Sequence, residues 1–470
     1  MKRHLSKWLL MFTLSLVMLV ILIPTSSAFA STSNFYNVLV QNGADPSVYK
    51  DTNNYYSTYT TGSEVKVWKS NYLTDMDAGT VITAWSGCCD VWAPEITKIN
   101  NVWYIYFARD NAAGDNNSHR MYVISNSSAD PTTGTWSAPT KLTAIGNDDW
   151  AIDGTVLNNN GALYFIWSGW NSANNNTDQN LYIASMSSPT QLNSARTQIA
   201  WPQYSWETNA TPHVNEGPEV IIRNGLINVV FSASGSWLDS YCLGLTTAST
   251  SSNLLLESSW TKRTTPVFQS GNGLYGPGHH SFTKSKNGTE DWIVYHTARQ
   301  AGAGWNRDIR AQKFTWNADN TPNFGSPAAP NTPIPLPAGE PARDRYEAES
   351  ATLGGLASIA YHSSAANGAK VGHLDDNNSY VQFNVTVGTA GYYAVLARTD
   401  NGTTGGYGVW ANFKLSVNGG ASSNFSITNS GWDIWTNASA KVYLNAGANT
   451  LRFTHDTNYG EFDSIDIMPW

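Results

Sequence analysis

From Ser31 to Gly325 the chain runs in short apolar stretches rich in aromatic and β-branched residues, broken by Asn, Gly and Asp, with no long helical period. Five segments share one plan: ADPSVYKDTNNYYSTY, WAPEITKINNVWYIYF, DGTVLNNNGALYFIW, EGPEVIIRNGLINVVF and PGHHSFTKSKNGTEDWIVYH. Each has a polar opening, a β run, an Asn- or Gly-bearing turn and a second, more aromatic run. The openings fall near positions 45, 92, 153, 216 and 276, a period of about 47 to 63 residues. That period suits four-stranded blades, so the region is predicted to be all-β, a five-bladed β-propeller. Runs such as HRMYVISN, QNLYIASM and SYCLGLTT supply the outer halves of blades.

The pattern changes at Ser326 to Ala342, where six prolines crowd a stretch without hydrophobic period. It reads as a stiff extended linker. Beyond it, from Arg343 to Trp470, alternating runs such as SYVQFNVTV, YYAVLART and LRFTHD predict a β-sandwich of jelly-roll type. Ahead of the propeller, MKRHLSK precedes an uncharged apolar run that ends at the small-residue site Ala28-Phe29-Ala30. This is the layout of a secretory signal spanning residues 1–30, cut after Ala30, with no later membrane anchor.

Composition narrows the function. Loss of Lys2, Arg3 and Lys7 with the leader takes the formal charge from −8 to −11, opposite to what a nucleic-acid binder needs. Aromatic residues make up 12% of the chain, with 20 Trp, beside only 13% charged residues. Flat aromatic faces flanked by Asn, Asp and Gln suit a carbohydrate surface, although a Trp-rich β core explains the same numbers. Cys88, Cys89 and Cys242 make no disulfide framework; the adjacent pair could bridge, or either could join Cys242.

In a propeller the first strands of all blades converge on one mouth. Aligned on the turn, the opening positions hold Asp45, Trp92, Asp153 and Glu216, with Glu95, Glu219 and His279 three places later. Like charges gathered at one mouth raise one another's pKa, so such a group needs a chemical reason. Glycosidic hydrolysis supplies one: an acid protonates the leaving oxygen while a second carboxylate activates water. Asp45 and Glu216 would face each other across the axis, with Asp153 keeping Glu216 protonated; Glu95 and Glu219 would support, and Glu219 rivals Glu216 as acid. A non-catalytic sugar-binding propeller is the alternative, but it would repeat its sites blade by blade.

The ordered stretches ADPSV, VWAPE, IDGT, NEGPE and GPGH resemble glycoside hydrolase family 43 over nearly all of the propeller region. That resemblance implies an inverting mechanism with Asp45 as general base, Asp153 as pKa modulator and Glu216 as general acid. It further implies that His279 lies at the propeller centre beside a calcium or sodium ion, that Arg310, or less readily Arg307, contacts sugar, and that Trp92 stacks on a ring. WAPE, IDGT, NEGPE and SASGSW look most like arabinofuranosidase and exo-arabinanase members, with β-xylosidase or endo-arabinanase on the same machinery as the second reading.

The smaller region, opening with RYEAES and closing with EFDSIDIMPW, resembles carbohydrate-binding modules of family 35, with family 6 close by. In those families a structural calcium is held by acids that correspond to Glu347, Glu349 and Asp463, and loop aromatics stack on sugar, here Trp432 and Trp435. The implied partner is plant cell-wall polysaccharide, arabinan or arabinoxylan, met outside the cell by a monomer.

Overall fold

The computed structural model describes residues 29–171 and 178–470. Apart from Phe29 and Ala30, the predicted leader lies outside the described residues. Among them, five inner strands run along a common axis: Ser47–Asp51, the second half of Thr80–Ile99, Ala151–Asn159, His213–Arg223 and Tyr275–Lys284. Each is paired antiparallel to a second strand, namely Asn54–Thr58, Val102–Arg109, Ala162–Trp170, Leu226–Ala233 and Asp291–Ala298. The β-propeller is therefore five-bladed, in agreement with the repeat.

Several of these hairpins close through two residues of positive φ, Asn100-Asn101, Asn160-Gly161 and Asn224-Gly225. Asn and Gly tolerate that left-handed pair, whose twist matches the flanking strands. The second strands are nearly continuous in burial; in Val102–Arg109, residues Trp103 to Ala108 are buried except Tyr104. Each of these strands is covered on both faces by the blades beside it. No single core forms. Five apolar seams fill the spaces between neighbouring blades, for example Tyr106 and Met121 against Phe165 and Tyr182, or Val230 and Leu243 against Ile293 and Tyr295. Trp103, Trp150, Trp170 and Trp292 are fully buried there, so much of the tryptophan content is packing.

The ring is closed by the N-terminal segment. Leu39 and Val40 bond to Ile309 of Arg307–Trp316 in the last blade. Just upstream, Asn34–Phe35 pairs with Ile334–Pro335, and Phe29–Thr32 pairs with Arg343–Glu347.

The C-terminal region is a β-sandwich. Seven strands, including Phe29–Thr32, make one sheet and five make the other, around a core that includes Phe383, Phe413, Phe425, Phe453 and Phe462. The proline-rich segment, read from composition as a stiff extended linker, turns at Asn331 and Gly339 and is bound along its length. Ala338 N–H donates to Glu290, Asn287 N–H to Ala338 O, and the buried Glu340 carboxylate accepts from the Leu73 and Thr74 N–H groups. Prolines fix φ and remove donors, but the remaining carbonyls and Glu340 still find partners on the propeller. The sandwich docks directly as well: Asn437 Nδ2 donates to Tyr36 O and Val38 O, both at 2.7 Å, and Arg299 Nη1 to Asn429 O at 3.1 Å. Cys88 and Cys89 are joined to each other, and Cys242 is buried and unbridged.

Candidate active site

The inner strands share a bulge at their entry. Pairing breaks between Trp92 and Glu95, Ile152 and Thr155, Glu216 and Glu219, and Tyr275 and Gly278. The first residue inside each break is left-handed, with φ of 43° at Ala93, 54° at Asp153, 52° at Gly217 and 55° at Gly276, and Asp45 before Pro46 has φ 57°. The equivalent positions are thus Asp45, Ala93, Asp153, Gly217 and Gly276. This corrects the sequence alignment in two places. Glu216 stands one residue earlier than Asp45 and Asp153, in the register of Trp92. His279 is not equivalent to Glu95 and Glu219, whose counterpart is Gly278. Left-handed backbone at a non-glycine residue costs energy that persists only where the surroundings impose it; here it turns Asp45 and Asp153 toward the axis.

The three acids are brought together in spite of the offset. Asp45 accepts from Thr60 Oγ1 at 2.6 Å and lies 3.4 Å from Arg307 Nη1 and 3.3 Å from both His279 Nδ1 and His296 Nδ1. Burial works to raise its pKa, but His279, His296 and Arg307 outweigh burial and hold the carboxyl well below its usual range. Both imidazoles are themselves pushed down by burial, His296 to about 3, so Arg307 is the permanent cation of the group. Asp153 accepts from Gly217 N–H at 3.1 Å and is 3.8 Å from His279 Nδ1; burial, then Glu216 and Asp45, push its pKa well up.

Glu216 is buried, and Tyr241 donates to its Oε1 at 2.8 Å. Burial, with a smaller push from Asp45, raises it to about 7 against the pull of Tyr241 and Arg307. The Tyr241 ring fits because residue 278 is glycine: a Cβ there would stand 2.2 Å from the ring. One mouth therefore holds an ionised carboxylate, Asp45, and an acid still protonated near neutrality, Glu216.

Asp45, Glu95, Asp153, Glu219, His279 and His280 line one small pocket on the axis. Glu95 accepts from Thr155 at 2.6 Å and is pushed well up by burial, Glu219 and Asp153; burial raises Glu219 to about 8. Neither has a cation beside it. His279, expected beside a central ion, lines this pocket with its Nδ1 edge set against Asp45. The buried ring without hydrogen-bond partners is that of His280.

Other expectations shift. Arg310 turns away from the acids to Thr297 Oγ1 at 2.9 Å, whereas Arg307, on the opposite face of the same strand, reaches Asp45 and also donates to Ser236 O at 2.7 Å. Trp92 is half-buried and stacks on His119, with ring centroids 3.8 Å apart. In the sandwich Trp432 is 46% exposed, but Trp435 is 5% exposed, donates to Ser364 and is covered by Arg398 and Lys370, a core position rather than a platform. Glu347 and Glu349 each bury an oxygen without a hydrogen-bond partner, and mutual repulsion with Asp463 adds to the burial that raises both, Glu347 to about 7. These oxygens fit a hard cation. Asp463 fits less well, because its carboxylate already accepts from Arg398 and Ala366 N–H. Among the described residues the tightest acidic group is a different one, Asp400, Asp433 and Glu461, bridged by Lys370.

Sequence reasoning missed Tyr241 and His296. His296 had a signal, a polar residue inside the apolar run DWIVYHTA; Tyr241 had none.

An ionised carboxylate and a protonated one, buried at a propeller mouth with an arginine between them, make up the equipment of a glycoside hydrolase. The family model "Glycosyl hydrolases family 43" matches residues 36–322 and "Carbohydrate binding module (family 35)" matches residues 344–470. The chain belongs to glycosyl hydrolases family 43, with a family 35 module at its C-terminal end. It is 38% identical to an extracellular exo-α-(1→5)-L-arabinofuranosidase of Streptomyces avermitilis over 66% of this chain and 67% of that protein. It is 31% identical to α-L-arabinofuranosidase 43 of Humicola insolens over 78% of this chain and 73% of that protein. A crystal structure of an α-L-arabinofuranosidase from Lactobacillus brevis matches with a TM-score of 0.59 and 33% identity, over 63% of this chain and 97% of that one.

Proposed function

We propose that the protein is a secreted, exo-acting, inverting α-L-arabinofuranosidase that removes terminal arabinofuranose from arabinan or arabinoxylan. The reading is carried by the opposite protonation states of two carboxyls in one mouth: Arg307 and its neighbours hold Asp45 ionised, while burial keeps Glu216, held in place by Tyr241, protonated near neutrality. Glu216 delivers its proton to the glycosidic oxygen as the bond to the anomeric carbon breaks. Asp45, ionised, takes a proton from a water that attacks the opposite face of that carbon, so one displacement releases the sugar with inverted configuration. Asp153, itself pushed well up by burial and by Glu216 and Asp45, shares the buried mouth with Glu216 and orients the sugar. Names of extracellular arabinofuranosidases among the relatives support both the sugar and the secretion.

Proton NMR during hydrolysis of an α-L-arabinofuranoside tests mechanism and sugar together. β-Arabinose must appear first; α-arabinose first, or release of xylose alone from matched xylosides, overturns the reading. In the pH profile of kcat/KM, the alkaline limb should fall near 7, where Glu216 loses its proton.

The module would tether the enzyme to polysaccharide and raise local substrate concentration. Glu347 and Glu349 would hold a calcium ion there, which would supply charge neutralisation and tie the first sandwich strand to its neighbours. Chelation should lower the melting temperature and spare turnover of a small glycoside; an unchanged melting curve removes the ion from the account.

A further inference from the structure

Two loops rim the mouth, and their tips take no part in the chemistry above. One, residues 234–241, leads from Leu226–Ala233 to Cys242–Ser249 and ends at Tyr241, which holds Glu216. The other, residues 299–306, leads from Asp291–Ala298 to Arg307, which meets Asp45. They are laced together. Gly302 N–H donates to the Asp239 carboxylate at 2.9 and 3.1 Å, Arg307 Nη2 to Ser236 O at 2.7 Å, and Trp305 Nε1 to Ser236 Oγ at 3.1 Å.

The laced tips carry Trp237 and Trp305, ring centroids 6.0 Å apart and 74° between planes. Trp305 is 68% exposed, the most exposed tryptophan among the described residues. An indole in water contributes little to the fold, yet here its N–H is tied down, which fixes the ring and leaves its faces open. Free charge is absent from this ledge among the described residues: Asp239 is spent on backbone N–H, Arg299 on Asp308, and Arg307 on Asp45 and Ser236. The surface thus suits a neutral ring with an apolar C–H face.

Its place decides which ring. Glu216 protonates the oxygen that departs with the leaving group, and the loop carrying Trp237 is the one that holds Glu216 through Tyr241. We propose that Trp305 and Trp237 form the binding platform for the first sugar of the leaving group, a neutral pentose of the polysaccharide, stacked on the indole. This rests on the glycosidase reading above. The platform selects substrates with a sugar beyond the scissile bond and holds that sugar while its oxygen receives the proton.

The test compares kcat/KM for α-1,5-arabinobiose with that for methyl α-L-arabinofuranoside, whose leaving group has no ring. In Trp305→Ala the ratio of the two should fall about tenfold, and Trp305→Phe should restore most of it. Because the side chain is exposed, the fold is not at stake, and melting temperatures check this. A ratio equal to that of the wild type, whether both substrates suffer or neither does, overturns the platform. A wild type that cleaves xylosides instead overturns the arabinose reading alone, and xylobiose against methyl β-xyloside then tests the platform by the same ratio. A wild type that cleaves neither overturns both.

Discussion

Asp45 and Glu219 are both largely desolvated acids that line the propeller axis, and desolvation by itself would hold both of them neutral. Asp45 is ionised because Arg307, Thr60 and two imidazoles surround it; Glu219, with Val220 N–H as its hydrogen-bond donor and no cation beside it, keeps its proton to about pH 8. Glu216 stands between them in character, buried like Glu219 but within reach of Arg307 and Tyr241, and so titrates near 7. The lesson is that the chemistry sits where the rim loops deliver donors, not wherever carboxylates collect.

Replacing the two glutamates is the strongest way to break that comparison. Glu216→Ala should cost about 10²- to 10⁴-fold in kcat on a substrate with a poor leaving group, and much less on a dinitrophenyl glycoside that leaves without protonation. Glu219→Gln should keep both rates close to the wild type, since the native side chain is already neutral at working pH. If Glu219→Gln produced the leaving-group dependence instead, the acid would have been assigned to the wrong layer.

Gly278→Ala sharpens the role of the tyrosine. The added methyl must displace the Tyr241 ring, and with it the hydrogen bond to Glu216. Misplacement on this scale should lower kcat/KM by about 100-fold, with no change in melting temperature large enough to account for it. Activity within twofold of the wild type would show that Tyr241 does not position the acid.

The smallest effect is on stability. Glu219 rises from 4.5 to about 8 on folding, so between those pH values the unfolded chain releases a proton that the folded one keeps. Stability must therefore decline as pH rises through that window and level off above it. Glu219→Gln removes its share of the decline, leaving that of Glu95, Asp153 and Glu216. Its urea midpoint should match the wild type at pH 4.5 and exceed it at pH 8, and a variant less stable at pH 8 would mean the carboxylate is ionised and paired in the fold.

The blades were legible because their signals are local: Asn-Gly turns, aromatic second runs and a repeat of fixed order. Asp45, Asp153 and Glu216 were legible as a group for the same reason. What pattern could not reveal was the register at the shared bulge: Glu216 stands just before the left-handed position that Asp45 and Asp153 occupy, and a second irregularity between Gly278 and His280 sets His279 out of step with Glu219. Arg307 and Arg310 lie three positions apart on one strand, hence on opposite faces, and nothing in RDIRAQKFTW says which face meets the acids. Trp432 and Trp435 present the same ambiguity, settled only by the Arg398 and Lys370 cations that cover one of them. In the proline-rich segment the turns at Asn331 and Gly339 and the Glu340 contacts are fixed by tertiary partners and leave no trace in composition.

The segment from Ser31 to Val40 touches three places that are remote in the chain: Arg343–Glu347, Ile334–Pro335 and Ile309. It is made early by the ribosome, yet every strand it must join emerges hundreds of residues later. Its hydrogen bonds cannot form until synthesis has passed the last blade, so assembly is held open at the seam and completed by this early segment. A fragment ending inside the fifth blade should consequently stay unclosed, with Leu39 and Val40 left in water.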